Sequence, residues 1–220
     1  WYSCSPDFGS KGAIERFSQI NPKVLFITDQ YFYNGKKINV LKRLPQILKS
    51  IPSIKSDIIV NYPGKKFIKS KNKSIKINLF KWNELLQTNY EKINFKRFDF
   101  ETELAILYSS GTTGKPKCIC HRSGGVLIQH MKEHQLHCNI KENDNVFYFT
   151  TCGWMMWNWL ISALACKASI VLFDGSPMYK KEDLLLQIAN KEKITLFGIS
   201  AKYIDALRKT TKNFKKSIQN

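Results

Sequence analysis

Six short apolar runs of strand length, each followed by a stretch of helical length, constrain this chain more than any other feature. The runs cover residues 23–28 (KVLFIT), 57–62 (DIIVNY), 104–108 (LAILY), 146–151 (VFYFTT), 169–173 (SIVLF) and 195–199 (TLFGI). Helical candidates lie at 40–50, 82–88, 124–138, 155–166, 181–190 and 201–209. Such alternation is the pattern of βα units feeding a largely parallel sheet, so the expected fold class is α/β: layered, mostly parallel sheets flanked by helices. With 220 residues and 43% hydrophobic content the chain can bury a substantial core, which excludes fibrous and wholly disordered classes. In the helical candidate 124–138, Val126, Leu127, Met131 and Leu136 recur at roughly helical spacing. Residues 64–78 (GKKFIKSKNKSIKIN) read as a charged, exposed connection between two lobes, 1–95 and 96–220, of one layered domain. The chain opens on Trp1 and closes on Asn220 after a Lys-rich stretch, and it reads as a segment of a longer protein.

The charge balance, 35 Lys+Arg against 17 Asp+Glu for a formal +18, raises the question of a polyanionic partner. The distribution argues against one. The arginines are Arg16, Arg43, Arg97, Arg122 and Arg208, whereas base and phosphate recognition favours the planar guanidinium fork. Lysines are scattered and accompany abundant Asn and Ile, a bias that explains the charge without a ligand, so nucleic acid is not expected as a partner. Six cysteines, Cys4, Cys118, Cys120, Cys138, Cys152 and Cys166, are too few and too uneven for a disulfide scaffold. Reduced thiols and a cytoplasmic setting follow. The most apolar stretch, 152–173, is broken by Asn158, Ser162, Lys167 and Ser169 and falls short of the roughly 20 residues a spanning helix needs, so no membrane partner is expected.

The run 104–108 ends abruptly in Ser109-Ser110-Gly111-Thr112-Thr113-Gly114-Lys115-Pro116-Lys117. Glycines let backbone approach an anion closely, hydroxyls and free amides donate to phosphate oxygens, and lysines add positive charge. A Walker A loop it is not. That loop needs four residues between its glycines and Ser or Thr after the lysine; here two residues separate Gly111 from Gly114, and Pro116 follows Lys115.

This nine-residue string resembles the phosphate loop of the acyl-adenylate-forming (AMP-binding) superfamily. The flanks, including Arg16-Phe17-Ser18-Gln19, Tyr33-Asn34-Gly35-Lys36, His121-Arg122-Ser123-Gly124-Gly125 and Gly153-Trp154-Met155-Met156-Trp157, resemble the acetoacetyl-CoA synthetase branch. The resemblance implies that residues 1–220 are part of a large N-terminal AMP-binding domain. It also implies an acid–thiol ligase acting on acetoacetate, ATP and coenzyme A with Mg2+. The loop residues Ser109, Ser110, Gly111, Thr112, Thr113, Gly114, Lys115 and Lys117 would bind nucleotide phosphates, and Trp154, Met155 and Met156 would wall the acyl pocket. Trp and Met at helical spacing are equally at home in a core. Asp174-Gly175-Ser176-Pro177 resembles a turn on the coenzyme A side, with Met178 in place of a polar residue, and Cys118 stands where most members carry Gly. The adenine-, ribose- and magnesium-binding motifs and the catalytic lysine of the C-terminal domain would lie beyond Asn220, so the segment alone is expected to be inactive.

Two other readings stay open at this level. His130-Met131-Lys132-Glu133-His134 formally matches H-x-x-E-H, in which two imidazoles one turn apart hold zinc and the Glu acts as base. Another is a non-catalytic module with an unknown partner. Neither another short-chain acid as substrate nor an oligomeric state is decided by these residues.

Overall fold

The computed structural model describes residues 1–66, 78–87, 92–109 and 114–210. By its contacts the chain divides into two compact units. One comprises Cys4–Arg97 with Tyr108–Ile119; the other comprises Trp1–Ser3, Phe98–Leu107 and Cys120–Asn220.

In the first unit the Ser5 hydroxyl accepts from the Asp7 amide at 3.4 Å and Pro6 occupies the first position of a short 3-10 turn, Pro6–Phe8. These are ordinary helix-starting devices, and helix α1 (Gly9–Phe17) follows. After α1, Asn21 takes a left-handed conformation ahead of Pro22, which turns the chain into strand β1 (Val24–Thr28). Strands β2 (Gln30–Tyr33) and β3 (Lys36–Asn39) form an antiparallel hairpin. Helix α2 (Leu44–Ser50) then leads to strand β4 (Ser56–Val60), with strand β5 (Asn78–Lys81) and a single turn, α3 (Trp82–Leu85), beyond. The parallel sheet has the order β1-β4-β5.

Side chains on a strand alternate between faces, and β1 obeys this. Leu25 and Ile27 join Ile59 of β4, Leu44, Ile47 and Leu48 of α2, and Ala13 of α1 in one core, while Val24 and Phe26 stay exposed.

Strand β6 (Glu103–Tyr108) pairs with strand β7 (Cys118–Arg122) in a two-stranded sheet. In the second unit helix α4 (Ser123–Lys132) runs into a π-turn, Glu133–His137, before strand β8 (Asn145–Tyr148). Helix α5 (Met155–Ser162), the 3-10 turn Ala163–Cys166, strand β9 (Ser169–Val171), helix α6 (Leu184–Lys191), strand β10 (Leu196–Gly198) and helix α7 (Ala201–Thr210) complete it.

The sheet order is β10-β8-β9, parallel throughout, so β8 is central. Its consecutive residues Val146 and Phe147 point to opposite faces and are both fully buried. Val146 packs with Trp159 and Leu160 of α5, whereas Phe147 packs with Leu185 and Leu186 of α6 and Tyr203 and Leu207 of α7. Helices therefore cover both faces, as a parallel sheet requires.

All six expected strands form, with bounds shifted by one to three residues, and the α/β class with parallel sheets is observed. The buried face of α4 differs from the one its apolar spacing indicated. Leu127 and Leu136 are 59% and 75% exposed, while His130 and His134 are buried. The physical reason is a polar network, described below, that lets two imidazoles replace aliphatic side chains against α5.

Gly198 lies opposite Tyr148 in the β10–β8 register. A Cβ there would run into the Tyr148 ring, which packs edge-on against Trp159 with centroids 6.0 Å apart. Gly198→Ala should therefore displace Tyr148 and destabilise this unit by about 1–3 kcal/mol, the usual cost of overpacking. Urea unfolding of the variant tests this; an unchanged midpoint would mean the ring moves aside freely.

Candidate nucleotide-binding site

The loop of hydroxyls, glycines and lysines joins β6 to β7. A strand rather than a helix follows it, so any pull on an anion would come from the loop's own amides, hydroxyls and lysines instead of a helix N-terminus. Its mouth is closed by two hydrogen bonds. Ser109 N–H donates to the Lys117 carbonyl at 3.0 Å, and Lys117 N–H donates to the Ser109 hydroxyl at 3.2 Å. Between these stems, Gly114 has φ +87° in the left-handed region. Lys115 and Lys117 are exposed, and among the described residues neither forms an ion pair. Ser110, Gly111, Thr112 and Thr113 lie outside the described residues.

Reading the sequence missed α1, and with it two residues that hold the stems. Tyr108, the last residue of β6, donates its hydroxyl to the Arg16 carbonyl at 2.5 Å. The Arg16 guanidinium lies 4.4 Å from the Phe8 ring centroid and 5.9 Å from that of Tyr108. On the exit side, Gln19 Nε2 donates to the Pro116 carbonyl at 3.2 Å and to the Glu15 carbonyl at 2.9 Å, while its Oε1 accepts from the Cys118 thiol at 3.6 Å. The signal was available: Ser5-Pro6-Asp7 ahead of Ala13, Ile14 and Phe17 is a capped, one-sided helix.

Trp154, Met155 and Met156 belong to the second unit, whereas Ser109 and the residues 114–117 belong to the first. Trp154 is the N-cap of α5 and is 67% exposed; Met155 is also exposed, and Met156 turns inward to pack on the core around Trp159 and Leu160. The Ser3 hydroxyl donates to the carbonyl of Cys152 just ahead of this turn. Met178, after the turn at Gly175, packs against the core of Phe147 and Leu185.

The H-x-x-E-H residues are engaged in structure. Ser162 Oγ donates to the Trp159 carbonyl at 2.7 Å. A hydroxyl has one proton, so it accepts from His130 Nδ1–H at 2.9 Å and from His134 Nε2–H at 2.8 Å. Glu133 accepts from the Trp159 indole at 2.8 Å and from the Gln129 amide. Burial lowers both imidazole pKa values, and His130 lowers that of His134 further, so both rings are held neutral. Among the described residues no group of three or more His, Cys, Asp or Glu converges as metal ligands would. The zinc reading is therefore replaced by a polar bridge between α4 and α5.

The family model described as AMP-binding enzyme matches residues 3–219. The chain belongs to the AMP-binding enzyme family. It is 45% identical over 209 residues to the acetoacetyl-coenzyme A synthetase of Rhizobium meliloti (strain 1021), covering 95% of this chain and 32% of that protein. It is 42% identical over 223 residues to the acetoacetyl-CoA synthetase of Gallus gallus, covering 98% and 32%. Among solved structures, the acetoacetyl-CoA synthetase from Streptomyces lividans matches with a TM-score of 0.85 and 36% identity, over 100% of this chain and 33% of that one. The chain thus spans about a third of the length of the relatives it matches.

Proposed function

We propose that this chain is the phosphate-gripping part of an acetoacetate–CoA ligase, lying within that enzyme's large N-terminal domain. A carboxylate oxygen of acetoacetate attacks the α-phosphorus of ATP. The bond from that phosphorus to the bridging oxygen of pyrophosphate breaks, and pyrophosphate leaves with the electron pair. The thiol of coenzyme A then takes the acyl group from the adenylate, releasing AMP. The loop's task is positioning and charge stabilisation as negative charge gathers on the departing pyrophosphate. Lys115 and Lys117 supply charge, and Ser109, Ser110, Thr112, Thr113 and the backbone of Gly111 and Gly114 supply donors.

The observation that carries this reading is the loop itself, with its stems bonded to each other and both lysines exposed without an ionic partner among the described residues. Sequence similarity supports acetoacetate in particular. Trp154 and Met155 are exposed at the start of α5 and are proposed to wall the acyl pocket, with Met156 anchoring them in the core. Mg2+ would neutralise phosphate charge on the bound nucleotide; no acidic cluster among the described residues fits it, so its ligands are not assigned to this segment. A cytoplasmic location is part of the same proposal. No described helix is long and apolar enough to cross a membrane.

The test is acid-dependent exchange of labelled pyrophosphate into ATP by the full-length protein. Exchange should appear with acetoacetate and be much weaker with acetate or propionate. This segment by itself should show none. No carboxylate-dependent exchange in the full-length protein would falsify the assignment, while equal rates with acetate would leave the ligase chemistry and remove acetoacetate.

A further inference from the structure

Gln19 is exposed, yet its side chain reaches across 97 residues to Pro116 and 99 residues to Cys118. An exposed, rotamer-rich side chain gains little for the fold by holding such contacts, because ordering it costs conformational entropy. Its bond to the Glu15 carbonyl would suffice to finish α1. The bonds to Pro116 and Cys118 have no such local purpose. They fall on the exit stem of the nucleotide loop. Three residues earlier, one helical turn away, Arg16 receives the Tyr108 hydroxyl and lays its guanidinium toward the Tyr108 ring, and Tyr108 leads into the entry stem.

We propose that Gln19, together with Arg16, is a positioning residue that fixes both stems of the nucleotide loop and thereby sets the affinity for the β and γ phosphates of ATP without touching them. The inference rests on the loop's assignment as a phosphate loop. Backbone amides bind phosphate well only when their directions are fixed before the ligand arrives; a loop whose ends wander must be ordered on binding, at a cost in affinity. The Ser109–Lys117 pair ties the two stems to each other, whereas Gln19 and Arg16 tie them to α1. The end of α1, built into the core through Ala13, Ile14 and Phe17, supplies the fixed point.

AMP lacks the β and γ phosphates and provides the control ligand. In the full-length protein, Gln19→Leu, which keeps the bulk and removes the amide, should weaken ATP binding about tenfold, the scale of one or two modest hydrogen bonds. AMP binding, the KM for the acid and the thermal midpoint should stay unchanged. Tyr108→Phe should weaken ATP binding less, in the same direction. Calorimetric titration with ATP and with AMP reads both. An equal loss for ATP and AMP would reveal a general structural role and overturn the proposal, as would no change in either variant. Lys117→Ala, titrated alongside, separates the two levels. If Lys117→Ala weakens ATP and Gln19→Leu does not, only the clamp is wrong. If Lys117→Ala leaves ATP binding intact, the phosphate-loop reading falls and the clamp with it.

Discussion

Lys117→Ala is expected to slow acid-dependent ATP–pyrophosphate exchange about 10²–10³-fold, the range for removing one preorganised group aimed at developing charge. Lys117 is singled out over Lys115 because its backbone is held from both sides: its N–H bonds to the Ser109 hydroxyl and its carbonyl accepts from Ser109 N–H. A lysine is a flexible point charge, so the precision of its ammonium depends on how well its Cα is fixed. Lys115 sits between Gly114 and Pro116, and among the described residues no hydrogen bond ties its backbone to the stem, so Lys115→Ala should cost only about tenfold. Neither substitution should alter stability. Both side chains are exposed without an ion pair among the described residues, and surface charges of that kind contribute little to folding. The kinetic signature is a fall in exchange rate with an unchanged thermal midpoint. Undiminished exchange in Lys117→Ala would remove that residue from the chemistry.

The central strand at 146–151 was legible because a strand buried on both faces must be apolar along its length; 23–28 is apolar too, although only Leu25 and Ile27 of β1 turn to the core. The hairpin had its own signal, which the strand reading left unused. Asn34–Gly35, with φ of 47° and 76°, is the turn that closes β2 on β3, and Asn-Gly between apolar runs is a strong hairpin signal. Strands β5 and β7 were not legible. Nearly all their residues are exposed, so they lack the apolar pattern that marks a strand, and they exist through backbone pairing alone.

The loop proposed to grip phosphate stood out by composition and order, since few other tasks need hydroxyls, glycines and lysines at one strand end. Its support did not. Gln19 and Arg16 are ordinary surface residues by type, and only the fold brings them to Tyr108 and Pro116. The face of α4 misled for the opposite reason. Two histidines bonded to one serine hydroxyl pack as core, with His134 Nδ1 left without a partner among the described residues, a pairing no single-helix periodicity can reveal.

Asp57 carries the second large prediction. It lies in β4 between Leu25 and Leu79 in register, on the helix-covered face, and is fully buried. Asp29, equally buried, accepts from the Tyr62 amide at 2.9 Å and the Gln30 side chain at 3.1 Å. Neither carboxylate oxygen of Asp57 has a partner among the described residues. Burial alone pushes its pKa up from 3.8 to about 7. The native state then holds a proton that the unfolded state releases above pH 3.8, so stability falls as pH rises. No loss occurs below the unfolded value, the loss grows through the interval, and it levels off above pH 7. A shift of this size corresponds to a loss on the order of 4 kcal/mol. Asp57→Asn removes the titration, so the stability difference between variant and wild type should favour the variant increasingly from pH 4.5 to 7 and be constant beyond, with a slope near 1.4 kcal/mol per pH unit. Hydrogen exchange of the β1 and β4 amides, corrected for intrinsic rate, reads this locally. A flat difference would mean that Asp57 is solvated. A difference that instead favours wild type at higher pH would mean that the carboxylate is ionised in the native protein and paired with a cation.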